Sequence, residues 1–342
     1  MRTILLLFLL SPLSSLAQND HAQQCQSVAA VDLPQEAAVA APTVFPACHA
    51  YKSYSGIDRR VDYRAARACA WKERLAQHAG LSQNASVGTS WVIGGDLILV
   101  DLYANGLGVP RNLPLALHLA CEDGAGIAAD AIDALDRLSK VPQPSAKRFE
   151  VCDSAFSTFS MNFCESFHLE LAEERRHRSI LALSARWSKE QKTAFAKVQS
   201  AEEKYVGAHN GELDASGTIR ALRNMGSAEI MHQNFFLDLR QFEKGNTPKG
   251  SASDAIKEEE RMLAQYKTNL TAAQVPLTED SQDGVTADGV TQAQGAWQEY
   301  RDAWLAFTAV RYPSIPASAF RAYFCEERLH LLAAMRGQIY RD

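Results

Sequence analysis

Residues 290–307, VTQAQGAWQEYRDAWLAF, decide the fold class of this chain. Val290, Trp297, Tyr300, Trp304 and Phe307 are spaced seven, three, four and three apart, so at 3.6 residues per turn they form one stripe. Gln292, Gln298, Glu299 and Asp302 fall on the opposite face. The stretch is an amphipathic helix with an aromatic seam, and such a seam needs partner helices to cover it. A weaker version lies at residues 196–213, AKVQSAEEKYVGAHNGEL, where Gln199, Ala201, Tyr205 and Ala208 match Gln294, Ala296, Tyr300 and Ala303, each pair 95 apart. The C-terminal half therefore reads as a duplicated helical unit, and the chain as all-α.

The 342 residues allow two or three domains, and 46% hydrophobic with 22% charged side chains is ordinary for a soluble globular protein. Residues 1–17, MRTILLLFLLSPLSSLA, read as a signal peptide: Arg2 in a short n-region, an apolar run from Ile4 to Leu10, and Ser15 and Ala17 where a signal peptidase reads. The run is too short for a permanent membrane span, and no cysteine stands at the cleavage point to carry a lipid, so no membrane anchor is expected after cleavage. Residues 18–47, rich in Ala, Gln, Val and Pro without a sustained helical period, are expected to form a flexible leader segment with little order. The 35 basic against 40 acidic side chains give a formal charge of −5, and loss of Arg2 makes the balance more acidic. That balance argues against nucleic acid as a partner and favours a basic one.

Seven cysteines follow the signal peptide: Cys25, Cys48, Cys69, Cys121, Cys152, Cys164 and Cys325. In an oxidising compartment they are expected to form disulfides, with at least one thiol left over. The spacing contains no C-x2-C pair and no histidine at ligand distance from a second ligand, so neither a metal site nor a cofactor is expected.

Residues 48–138 carry a second internal repeat, in which Gly56, Asp62, Ala66 and Ala70 recur as Gly106, Asn112, Ala116 and Ala120, all offset by 50. In the second copy Leu97, Val100 and Tyr103 belong to a first helix, Gly106 and Gly108 supply a turn, and Pro110 with Asn112 starts a second helix. This hairpin resembles the SEL-one-like repeat, a cousin of the tetratricopeptide repeat, on Leu102, Tyr103, Gly106, Gly108, Val109, Pro110, Asn112 and Ala116. The resemblance implies a scaffold for protein contacts. The first copy lacks the second Gly and is lengthened by an insertion at residues 82–90. Stacking of the two repeats would bring Cys69 towards Cys121.

A Pro- and Ser-containing linker, residues 139–151, leads to two further units, 152–243 and 255–342, joined by a Gly-, Pro- and Ser-containing linker at 244–254. Cys152, Thr158, Met161, Asn162 and Cys164 open the first. Gln294, Trp297, Tyr300, Arg301 and Asp302 form a Gln-x-x-Trp-x-x-Tyr-Arg-Asp motif in the second. Together they resemble the LprI-type lysozyme-inhibitor family, in two copies that each lack part of the pattern. In the first copy Glu202 stands for the Trp and Val206–Gly207 for the Arg-Asp; in the second the cysteine pair is missing. The resemblance implies a disulfide between Cys152 and Cys164, and lysozyme inhibition. An acidic loop at residues 279–289 precedes the aromatic helix.

Nothing in the sequence reads as an active site. Serines do not occur as G-x-S-x-G or S-x-x-K, and no phosphate-binding glycine loop appears, so no catalytic residue is named. His168 and His177 lie nine apart beside Glu173 and Glu174, a spacing that suits a solvated helix face rather than a metal. Trp297, Tyr300 and Trp304 read as core. Arg301 and Asp302 either face a partner, or Arg301 buries its stem and pairs its head with a carboxylate or helix end inside the bundle. The expected function is protein binding in the cell envelope, with a lysozyme or another envelope toxin as target. A periplasmic adaptor or toxin-immunity protein would use the same parts, and a glycan-acting enzyme would need two opposed carboxylates in a cleft.

Overall fold

A computed structural model describes residues 13–40, 42–57, 60–81, 95–123, 126–140, 148–213, 217–248 and 287–339, with isolated positions between 257 and 285. The insertion at 82–90, most of the 244–254 linker and of the acidic loop, and the apolar run of the signal peptide lie outside the described residues. Among the described residues the regular structure is helical, with no strand, so the fold is all-α. The chain divides into two compact units, Met1–Ala172 and Glu173–Asp342.

In the first unit the helices are α1 (Leu13–Val28), α2 (Ala50–Ser55), α3 (Tyr63–His78), α4 (Gly95–Asn105), α5 (Leu113–Asp123), α6 (Gly126–Ser139) and the start of α7 (Thr158–Ser184). Both expected turns occur. Gly56 ends α2 at φ 67°, and Gly106 and Gly108 follow α4 at φ 70° and 67°, a left-handed backbone that glycine adopts without a Cβ penalty. Asp62 caps α3 by accepting from the Arg64 and Ala65 N–H groups, and Asn112 caps α5 by accepting from Leu115 N at 3.1 Å. Ala66, Ala70, Ala116 and Ala120 are fully buried, and Tyr103 packs edge-on against Trp71, while Pro110 stays exposed.

Three sequence expectations do not hold. The leader, residues 18–47, is tied down: α1 runs through its first part to a buried Val28, Cys25 is bridged to Cys121, and His21 meets Asp133 at 3.0 Å. A long-range crosslink and a docked helix supply the order that composition did not announce. Cys69 is bonded to Cys48, not to Cys121. Finally, the segment before Cys152 is not a free linker where it is described. Val151 N donates to Asp101 at 2.9 Å, Phe149 N donates to Asn105 at 2.8 Å, and Arg148 lies over the Tyr54 ring. The Cys152–Cys164 disulfide, the pair implied by the family resemblance, is present with Cα atoms 5.5 Å apart. It belongs to the first unit, because Val151, Phe167 and Leu171 pack into that unit's core.

The second unit contains the end of α7, then α8 (Lys189–His209), α9 (Arg220–Glu243), α10 (Ala287–Arg311) and α11 (Ala317–Ile339). A reciprocal capping box, Ser188 with Gln191, starts α8. Helices α8 and α10 run antiparallel: Gln191 at the head of α8 donates to the Val310 carbonyl near the end of α10, and Gly211 just beyond α8 touches Gly289 near the start of α10. A Cβ on Gly289 would stand 2.2 Å from the Gly211 carbonyl oxygen, so the approach requires glycine. The stripe on α10 behaves as its spacing predicts. Val290, Trp297, Tyr300, Trp304 and Phe307 are buried, and Gln292, Gln298, Glu299 and Asp302 are exposed. Trp304 is the hub, in ring contact with Phe195, Phe235, Phe242, Tyr300, Phe307 and Phe324.

Candidate functional site

Beside that hub the four helices α8 to α11 leave a cavity of about 310 Å³. Its walls are aromatic, from Tyr205, Phe235, Trp297, Tyr300 and Phe324, and three carboxylates, Glu202, Asp238 and Glu327, line it as well. Trp297, Phe324 and Arg328 form a buried floor, whereas Ile230, Asn234 and Glu327 form an exposed rim. Two pairs of positions 95 apart in the sequence line it, Glu202 with Trp297 and Tyr205 with Tyr300.

The floor is held by a buried ion pair. Arg328 donates through both terminal nitrogens to the Glu212 carboxylate, through Nε to Gln294 Oε1 at 3.1 Å, and through Nη1 to the Tyr205 hydroxyl at 3.1 Å. Both charged side chains are fully buried. Burial pushes the Glu212 carboxyl upward, but hydrogen bonds from Arg328 and His209 outweigh it and hold the group below the ordinary carboxylate range. Gln294, the first residue of the motif, is thus a link between α10 and α11.

His209 continues the network, with Nδ1 2.8 Å from Glu212 and Nε2 3.1 Å from the hydroxyl of Ser227, which lines the cavity. Serine, histidine and glutamate in that order form the relay of a hydrolytic nucleophile. Here the relay also ties the end of α8 to α9. Arg328 already neutralises Glu212, His209 is buried, and Ser227 sits inside α9, where its backbone N–H serves the helix ladder instead of an oxyanion.

The cavity carboxylates differ in their surroundings. Glu202 is bonded to His232 Nδ1 at 2.6 Å, and that hydrogen bond, the largest influence on the ring, raises the histidine's pKa. Asp238 accepts from the Tyr323 hydroxyl at 2.5 Å, but burial dominates and pushes its carboxyl up to about 7, with Glu327 adding to the rise. Burial likewise holds the Tyr300 hydroxyl well above its ordinary range.

Several expected residues fall elsewhere. Arg301 buries most of its side chain over the Trp297 ring, 4.9 Å from the centroid, and pairs its head with its exposed neighbour Asp302 at 2.9 Å. Arg328 ties α11 to α10 and α8 through Gln294 and Tyr205. His168, His177 and Glu173 are exposed, as a solvated face requires, yet Arg176 on the same helix is buried and pairs with both Glu173 and Glu229. Cys325 is buried and stands outside the three disulfides of the described residues. No group of three or more His, Cys, Asp or Glu suited to a metal occurs among the described residues, and no described helix is long and apolar enough to cross a membrane. No family model, curated protein or solved structure matches the chain.

Proposed function

We propose that the chain is an exported protein of the cell envelope that binds another protein through its second unit, and that its target is a basic lysozyme. The observation that carries the reading is the acidic, aromatic-walled cavity, because Trp297 and Tyr300 of the family-like motif line it beside Glu202, Asp238 and Glu327. Acidic groups beside aromatic rings suit a basic protein surface, and charge complementarity raises the association rate. The signal-peptide pattern at residues 1–17 and three disulfides support export into an oxidising, periplasmic space. The hairpins of the first unit suit a scaffold role for further protein contacts.

The test is a cell-wall clearance assay at low ionic strength, with the protein in molar excess over several lysozyme types. Slowed lysis that recovers as salt rises is the expected result. Undiminished lysis by every type overturns the lysozyme target and leaves the adaptor or immunity reading.

One observation favours a second reading, a glycan-acting enzyme. A cavity that holds several carboxylates, one of them with its pKa raised to about 7, has the raw material for an acid and a base. Release of reducing sugar from peptidoglycan, abolished in Asp238→Asn, would establish it.

A further inference from the structure

We infer that the cavity of the second unit is a receptor for one arginine side chain of the partner protein, seated among the aromatic rings with its guanidinium against Asp238 and Glu327. This rests on the protein-binding reading above and names what that site takes.

Glu202 has His232, Arg328 has Glu212, and Arg301 above Trp297 has Asp302. Asp238 on α9 and Glu327 on α11 have no ion-pair partner among the described residues, although Asp238 keeps its hydrogen bond from Tyr323. The groups that face Asp238 are therefore the neutral hydroxyls of Tyr323 and Tyr300 and the like charge of Glu327, none of which offsets a negative charge there. A bound cation would.

The walls select the kind of cation. Aromatic faces attract a cation desolvated against them, and a planar guanidinium stacks on rings while its five donors reach two carboxylates at once, which a lysine ammonium does less well. A volume of about 310 Å³ lies at the lower end of ligand pockets, so it suits one side chain better than a run of sugar rings. Exposure of Ile230, Asn234 and Glu327 at the rim leaves the entrance open to a projecting residue.

The test uses the full mature protein and N-acetyl-arginine amide as probe, followed by calorimetry or chemical-shift titration. The uncharged isostere N-acetyl-citrulline amide is the control. Saturable binding of the arginine probe is expected, with citrulline at least tenfold weaker. Asp238→Asn should weaken the probe tenfold or more without lowering the melting temperature. Glu327→Gln, an exposed position where folding is not at stake, should weaken it severalfold. Equal binding of citrulline, or unchanged binding in both variants, overturns the inference. Arginine binding without inhibition of any lysozyme leaves the receptor standing and removes only the target. Inhibition that Asp238→Asn does not touch, in a protein that ignores the probe, does the reverse.

Discussion

Tyr205 lies against Tyr300 with ring centroids 5.6 Å apart and planes 29° from parallel, although the two occupy the same position of the 95-residue repeat. Their neighbours Lys204 and Glu299, equally matched, approach to 3.3 Å. In an antiparallel pair, equivalent positions meet only near the local two-fold axis that relates the helices, so the tyrosines mark that axis. A double-mutant cycle of Tyr205→Leu and Tyr300→Leu should therefore give a coupling of about 0.5 to 1.5 kcal/mol. Additive losses in chemical denaturation would remove the stacked pair from the account.

Arg328 and Glu212 make the sharpest prediction about stability. Arg328→Met leaves a buried carboxylate without its counter-charge and should cost about 3 to 5 kcal/mol. Adding Glu212→Gln removes the stranded charge, so the double variant should recover much of that loss. A single variant that melts like the wild type would show that the pair is not buried in solution.

The two tryptophans of the motif helix should differ. Trp304, enclosed by six rings, should cost about 3 to 5 kcal/mol when cut to alanine. Trp297 has the cavity on one side and Arg301 over its ring, so Trp297→Ala should cost less and should weaken partner binding. Equal losses of melting temperature with binding intact would refute the distinction.

Burial holds Glu73, Asp101 and Asp238 up to about 7, whereas an unfolded carboxyl titrates near 4, so between those values the folded state binds more protons and stability falls as pH rises. His232 acts in the same direction: its raised pKa stabilises the fold at low pH, and that contribution is lost as pH rises through the folded-state value. Glu212 and Glu243 are held low, the latter because hydrogen bonds from Arg311 and Tyr312 outweigh burial, so their contribution is lost only as pH falls below about 4. Melting temperature should peak at about pH 4, and Asp238→Asn should raise it at pH 8. A melting temperature that climbs steadily from pH 5 to 8 would contradict this balance.

Cys25 and Cys121, 96 apart, close the longest loop of the three bridges, so Cys25→Ser should destabilise the first unit by about 4 to 5 kcal/mol in the chain-entropy model. Opening Cys152–Cys164 should cost about 3 kcal/mol. Peptide mapping without reduction checks the pairing itself. Recovery of Cys69 linked to Cys121 would overturn it.

Much of the fold was legible in the residues because it depends on near neighbours. The α10 stripe, the glycines of the two turns, the Asp62 and Asn112 caps and the alanines of the repeat all follow from positions one to four apart, which periodicity and capping chemistry describe. Half of the candidate site was legible in the same way. Trp297, Tyr300 and Gln294 stood out by spacing, and Glu202 by its match to Trp297. The other half was not. Ser227, Asp238, Glu327 and Arg328 sit in helical sequence that looks like any other polar face.

By itself, the sequence determined that the chain is all-α, where α10 hides its aromatic side, and that a thiol must be left over from seven. The tertiary structure alone decided which polar residues lie inside, how Cys25, Cys48, Cys69 and Cys121 pair, and that the leader is anchored to the first unit. The reason is separation along the chain. Arg328 is buried only because Glu212, 116 positions away, neutralises it, and Gln294 and Tyr205 take its remaining donors. A charge pays the cost of leaving water when such partners converge, and their convergence is a property of helices packed against each other, which no local pattern in α11 contains.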